Sequence, residues 1–110
     1  MRALDLSNKK LESLPLEIFN FKSLQILILN NNELITIPKE IGKLTNLIVL
    51  DLYSNNLDSL PMEIGSLINL KELFLDQNRL MSLPFEVCNL NDLTVLTLSL
   101  IHISEPTRPY

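Results

Sequence analysis

The sequence of 110 residues contains few of the residues from which reactive sites are built: one cysteine, one histidine, two glycines and no tryptophan. Because Cys88 is alone, no disulfide bond can form within the chain. Two isolated glycines, Gly42 and Gly65, cannot form a glycine-rich loop that wraps a phosphate. Neither a nucleophile elbow nor a cluster of metal-ligand residues occurs in the sequence. We therefore expect a protein that is not an enzyme and that holds no metal and no cofactor.

The sequence also has little positive charge. Nine lysines and arginines face 13 aspartates and glutamates, which gives a net charge of −4. A nucleic acid or an anionic membrane surface would favour a basic partner, so neither is expected to bind. There is no N-x-S/T glycosylation sequence, no recognisable signal peptide and no apolar run approaching the ~18 residues of a membrane helix. Together with the single cysteine, these absences indicate a reducing compartment, and we expect a cytoplasmic protein.

What the sequence does have is leucine and isoleucine at a fixed spacing. The stretch from Leu47 to Leu67 follows the pattern L-x-x-L-x-L-x-x-N-x-L-x-x-L-P-x-E-I-x-x-L, which recurs every 23 residues. The copies span residues 1–23, 24–46, 47–69 and 70–92, with a partial copy at 93–97. A fixed period of this length indicates a repeat architecture in which each unit packs on the next.

Each copy opens with a short predicted strand. Residues two positions apart share one face of a strand, so the paired leucines are expected to point inward and the strands to stack in a parallel sheet. A buried asparagine after the strand can serve backbone groups as both donor and acceptor, which predicts a structural ladder of Asn32, Asn55 and Asn78. The first copy has Lys9 at this position, so its turn is expected either to fray or to use Asn8.

The second half of each copy predicts a short helix. Its proline is expected at the first helical position, and the glutamate two residues later could cap free N–H groups. A column of four glutamates could also be a binding site, but helix capping is the simpler interpretation: Glu17, Glu40, Glu63 and Glu86. The apolar side of each helix is expected to turn inward, including the column Phe21, Leu44, Leu67 and Leu90.

These motifs cover residues 1–97 and resemble the leucine-rich repeat family, in its typical 23-residue class with L-P-x-E-I in the second half of the repeat. Intracellular Ras-group-related and Scribble-type repeat proteins share this form. The resemblance implies an α/β solenoid with a parallel β-sheet on the concave side and short helices or turns on the convex side. It also implies that partners, usually proteins, bind the concave sheet.

The resemblance leaves three functions open. The first is a protein–protein interaction module, a fragment of an intracellular scaffold or signalling regulator. The second is the recognition domain of a larger enzyme, such as a kinase, a ubiquitin ligase or a cyclase, and the third is the sensor part of an immune-type receptor. Neither end of the sequence shows a capping repeat, so we expect a fragment of a longer protein.

The outward-facing strand positions are the candidate partner-binding site. Parallel stacking sets equivalent positions side by side, which predicts an apolar centre with an acidic border formed by Ile26, Ile28, Val49, Asp51, Tyr53, Glu72, Phe74 and Asp76. Exposed apolar clusters often mark contact sites, although strands favour such residues in any case and the acids could serve solubility alone. The acids suggest a protein partner with a basic patch. No nucleic acid, membrane insertion or small-molecule substrate is expected.

The end of the sequence follows a different rule. The eleven residues 98–108, LSLIHISEPTR, resemble the translation of a transposase-type sequencing adapter. We therefore predict that natural sequence ends near Thr97, that residues 98–110 are a non-native tail, and that His102 has no function. The alternative is a degenerate last repeat, since Leu98 and Ile103 fall on leucine columns.

Overall fold

The computed structural model describes residues 1–100. Over these residues, five short strands form one sheet in the order β1-β2-β3-β4-β5. The strands are β1 Ala3–Asp5, β2 Ile26–Ile28, β3 Val49–Asp51, β4 Glu72–Phe74 and β5 Val95–Thr97. Between successive strands lie four 3-10 helices: η1 Leu16–Asn20, η2 Lys39–Lys43, η3 Met62–Ser66 and η4 Phe85–Asn89. Of the predicted tail, residues 101–110 lie outside the described part of the chain.

All the strand pairs are parallel, and each residue pairs with the residue one repeat further on. Leu4, for example, lies opposite Leu27, and Leu27 lies opposite Leu50. Because the partner is always at the same position of the repeat, the 23-residue period of the sequence becomes the register of the sheet. The predicted parallel sheet is thereby confirmed.

The core is a layer of leucine and isoleucine between the sheet and the helices. Leu50, Leu52 and Leu73 are completely buried, as their columns predicted. The layer weakens in the fifth repeat, where Leu96 is 40% exposed. Each repeat thus buries its apolar side chains against its neighbours rather than within itself, as in other solenoids.

The helices begin one residue later than predicted. Pro38 has the extended backbone of a cap residue rather than a helical one, and η2 starts at Lys39. The Pro38 carbonyl accepts a hydrogen bond from the Ile41 N–H at 3.1 Å, so the turn closes through the backbone. Glu40 lies in the first turn, where its charge meets the positive end of the helix. In residues 1–100 none of the four equivalent glutamates accepts a capping hydrogen bond, so that part of the prediction is wrong.

The first helix differs from the others in its buried aromatic residue. Phe19 is 1% exposed and Phe21 is 38% exposed, whereas the sequence predicted that Phe21 turns inward. Phe19 occupies the column of Gly42 and Gly65, where a Cβ would come within 3.1 Å or less of the next repeat. The bulky Phe19 side chain lies where the helices pack less closely: η1 contacts η2 less than η2 contacts η3. Of the two phenylalanines of η1 and its C-terminal end, Phe19 rather than Phe21 is therefore the one buried in the core.

Candidate functional site

The outward side chains of the strands form rows across the concave sheet. One row contains Ala3, Ile26, Val49, Glu72 and Val95. The next row contains Asp5, Ile28, Asp51, Phe74 and Thr97. Tyr53 and Asp76 follow two residues after Asp51 and Phe74, and the Ser54 N–H donates to the Asp76 carbonyl at 3.1 Å. The structure therefore brings the eight predicted partner-binding residues onto one continuous surface.

The surface is accessible to solvent, most of all at two of its apolar residues. Ile26 and Tyr53 are each 39% exposed, and the other six predicted residues are half-buried by their neighbours. An apolar side chain that remains accessible on a rigid sheet presents area that a partner can bury.

Hydrogen bonds hold the central carboxylates in place. Asp51 accepts from the Tyr53 N–H through Oδ1 at 3.0 Å and from the Asn30 side-chain amide through Oδ2 at 2.8 Å. Asp76 accepts from the Thr97 hydroxyl through Oδ1 at 2.7 Å. All three donors are neutral, so they orient the two carboxylates without cancelling their charge.

A shallow concavity lies between these residues. It has a volume of about 220 Å³ and is lined by Asp51, Tyr53, Phe74, Asp76 and Thr97. The sequence prediction missed Thr97, because it assigned partner-binding residues only to complete repeats. The available signal was the row itself, in which Thr97 is the next residue after Asp51 and Phe74.

Asp5, on β1, is the first residue of the row that contains Asp51 and Phe74. Its Oδ1 accepts from the Ser7 hydroxyl at 2.7 Å and from the Ser7 N–H at 2.9 Å. These bonds, helped by the charge of Lys9, lower the pKa of the Asp5 carboxyl below its ordinary value. Asp5 therefore stays ionised to a lower pH than an isolated aspartate.

The asparagine column sits behind the concave sheet and links each repeat to the one before it. Asn55 accepts from the Leu34 N–H at 3.1 Å and donates to the carbonyls of Leu29 and Leu52 at 3.0 and 3.2 Å. Asn78 makes the equivalent bonds one repeat further on. Because each amide serves the preceding repeat as well as its own, the turns of the solenoid are joined by side chains as well as by the sheet.

The first repeat keeps its turn without an asparagine of its own. Asn32 from the second repeat accepts from the N–H groups of Lys9 and Leu11, both at 3.0 Å. Lys10 and Asn8 both adopt left-handed backbone conformations, with φ of 57° and 58°. Lys9 is exposed, and the Asn8 N–H donates to the Asn30 carbonyl at 3.1 Å. The turn is therefore held by the following repeat, and the Asn8 side chain does not replace the missing amide.

A second series of inter-repeat bonds was not predicted. Asn46 donates to the Lys22 carbonyl at 2.8 Å, and Asn69 donates to the Thr45 carbonyl at 2.9 Å. Ser23 occupies the same column and donates to the Met1 carbonyl at 3.1 Å. The column contains serine, asparagine and, at Asp92, aspartate, which is why it carries no obvious signal in the sequence.

The described residues contain neither a group of metal ligands nor a helix that could span a membrane. Within residues 1–100, no group of three or more His, Cys, Asp or Glu side chains could bind a metal ion. Over the same range, no helix is long and apolar enough to cross a membrane. Cys88 is exposed on η4.

Comparison with known proteins agrees with the solenoid. The sequence model of the leucine-rich repeat family matches residues 22–80, more than half of the chain. The chain belongs to the leucine-rich repeat family. The fold suggests a protein–protein interaction module, and the family is typically a non-enzymatic binding module.

Two solved structures of leucine-rich repeat proteins show the same fold. A leucine-rich repeat protein of Leptospira interrogans is 42% identical with a TM-score of 0.80, and the match covers 91% of this chain and 32% of that protein. The plant peptide hormone receptor RGFR1, solved in complex with RGF2, is 40% identical with a TM-score of 0.73, over 84% of this chain and 15% of the receptor. This repeat chain thus spans a third or less of either protein. A search among curated proteins found no match.

Proposed function

We propose that this leucine-rich repeat chain binds a protein partner through its concave sheet and that the partner presents a basic patch. The single observation that carries the proposal is the surface formed by rows of Ile26, Ile28, Val49, Tyr53 and Phe74 with carboxylates among them. Aromatic residues supply much of the affinity of protein interfaces, and charges direct orientation.

The convex side offers a weaker site. One column of exposed apolar residues there, Leu16, Met62 and Phe85, is interrupted by Lys39. On the concave side the sheet holds the apolar residues in adjacent rows. Contiguous apolar area, rather than isolated exposed residues, is typical of a contact site.

A second proposal concerns the kind of protein and the compartment to which the module belongs. We place it in a cytoplasmic scaffold or signalling regulator, because the chain has one cysteine and no glycosylation sequence. The competing candidate is the recognition part of a larger receptor or enzyme. Its support is the similarity to a peptide hormone receptor in which the matching region makes up 15% of the chain.

We also propose that the native repeats extend over residues 1–97 and that residues 98–110 are foreign to them. The asparagine column, Asn32, Asn55 and Asn78, next reaches Ile101, which has no amide to donate or accept. The leucine of the L-P motif, Leu83 in the fourth copy, is followed one period later by Pro106. The first copy also lacks the asparagine, at Lys9, but it keeps the leucine of the L-P motif at Leu14, whereas residues 98–110 lose both positions.

Selection of binding peptides tests the proposed function. Short random peptides displayed on phage are selected against the whole chain, and the enriched peptides are measured on Tyr53→Ala and Phe74→Ala variants. Each variant should weaken binding by at least about fivefold, or about 1 kcal/mol, while the circular dichroism spectrum is retained.

The matched control is the Lys39→Ala, Lys43→Ala double variant of the convex side, which should leave affinity unchanged. If the convex variant abolishes binding and both concave variants bind normally, the concave sheet is not the binding surface.

A further inference from the structure

Aromatic rings and carboxylates alternate in both directions around the 220 Å³ concavity. Along one row Asp51 lies beside Phe74, and along the next row Tyr53 lies beside Asp76. Each ring therefore has a carboxylate next to it on the neighbouring strand and another two residues away on its own strand. Neighbouring parallel strands are about 4.8 Å apart, so all four groups lie within reach of one side chain.

This arrangement favours a cation. The face of an aromatic ring attracts a positive charge, and a carboxylate hydrogen-bonds to it more strongly than to a neutral donor. The donors to Asp51 and Asp76 are neutral. In residues 1–100 the second oxygen of Asp76, Oδ2, accepts no hydrogen bond, so it is available to a ligand.

Resting on the proposed function, we propose that the concavity binds one arginine side chain of the partner. A guanidinium is planar, so it can stack on Tyr53 or Phe74 while its edge donates to the Asp76 carboxylate. An ammonium group has neither the flat face nor the fork of donors, and it is more strongly hydrated. Thr97 is a positioning residue, since its hydroxyl holds Asp76 Oδ1 at 2.7 Å.

The probe is a capped pentapeptide with one central arginine between serines and glycines. It is compared with the same peptide carrying citrulline, which keeps the shape and loses the charge, and with a lysine version. Each is titrated into the isotope-labelled 110-residue chain, and binding is followed by the NMR shifts of backbone amides. The arginine peptide should saturate with a millimolar or lower dissociation constant and should shift Tyr53, Phe74 and Thr97.

The expected order of affinity is arginine, then lysine, then citrulline, with arginine at least about fivefold tighter than citrulline. Asp76→Asn should remove that advantage, because the amide keeps the shape and loses the charge. Asp58→Asn is the matched control, since Asp58 is an exposed acid that lines a different surface, beside Ile35 and Met81.

The arginine proposal is overturned if the arginine and citrulline peptides bind equally, if neither binds, if the shifts map away from the concavity, or if Asp58→Asn acts like Asp76→Asn. Its failure can be told from failure of the proposed function. Phage-selected peptides that lack arginine but lose affinity on Tyr53→Ala would retain the concave surface and reject the arginine site. Selected peptides insensitive to Tyr53→Ala and Phe74→Ala would reject the surface itself.

Discussion

The concave strands and the convex 3-10 helices share one buried leucine layer, yet they leave different positions free to vary. On the convex side proline and glutamate recur in every complete repeat, and the isoleucine that follows them is replaced only in the fourth, by Val87. On the concave side the outward position that holds Asp5 in β1 holds isoleucine, aspartate, phenylalanine and threonine in the following strands. The helices are therefore fixed by packing between repeats, and the sheet is fixed mainly by its backbone bonds and its inward leucines.

This difference explains why the same fold can serve many partners. A parallel sheet needs the inward leucines and the backbone hydrogen bonds, and neither depends on the outward side chains. Outward positions of a solenoid strand can thus change without loss of the fold. We expect substitutions to divide accordingly, with stability changes in the leucine layer, the asparagine column and the helices, and binding changes on the concave rows.

The largest expected effect is in the leucine layer. Leu52 is completely buried, so Leu52→Ala should lower the free energy of unfolding by about 2–5 kcal/mol through lost transfer energy and a cavity. Leu16→Ala is the matched control, because Leu16 is 59% exposed on the convex side, and its change should be within about 0.5 kcal/mol. Urea unfolding measures both. Equal effects of the two substitutions would contradict the two-sided packing.

The asparagine column should come next. Asn55→Ala would leave the buried Leu34 N–H without its acceptor and take one donor from each of two carbonyls. We expect a loss of about 2–3 kcal/mol in the free energy of unfolding. Asn69→Ala removes one exposed inter-repeat bond and should cost less than about 1 kcal/mol. If Asn69→Ala proved as costly as Asn55→Ala in urea unfolding, burial would not be what makes the column important.

The comparison with the sequence follows the same division. The parallel register and the buried leucines could be predicted because the buried positions recur in each copy. The pattern of one copy therefore indicates which positions are buried in the others. The exact start of each helix could not be predicted, because a proline suits both the cap position and the first helical turn. In the structure Pro38 has an extended backbone and is the cap residue. The choice between Phe19 and Phe21 was also hidden, because it depends on the spacing between two helices.

The candidate surface was accessible to sequence reasoning only in outline. Its rows follow from the period, and the structure places the eight predicted residues on them. The concavity itself depends on side-chain hydrogen bonds between strands, such as Asn30 to Asp51 and Thr97 to Asp76. These hydrogen-bonded pairs differ from repeat to repeat, so the repeat pattern of the sequence does not predict them. Whether the eight residues bind a partner stays a prediction.

A smaller effect is expected where two helices meet. A Cβ on Gly65 would lie 2.7 Å from both the Cβ and the carbonyl oxygen of Glu86, so Gly65→Ala forces the backbone to move. We expect a loss of about 1–2 kcal/mol in the free energy of unfolding. A Cβ on Gly42 would lie 3.1 Å from the Glu63 Cβ, so Gly42→Ala should cost less. The reverse order in thermal unfolding would show that the helices do not pack as closely as the structure has them.

The smallest expected effect lies at the end of the chain, where the sequence lacks both the asparagine and the L-P leucine of the repeat. Removing residues 101–110 should change the melting temperature by less than about 3 °C, which corresponds to under about 1 kcal/mol in a domain of this size. The reason is that Ile101 and Pro106 stand where the repeat needs an asparagine and a leucine.

Extending the deletion through Ser99 also removes the acceptor of the Gln77 N–H, so the melting temperature should then fall slightly further. Scanning calorimetry distinguishes the two deletions. A fall of more than about 5 °C for the shorter deletion would mean that residues 101–110 support the stack, and the proposal of a foreign tail would be wrong.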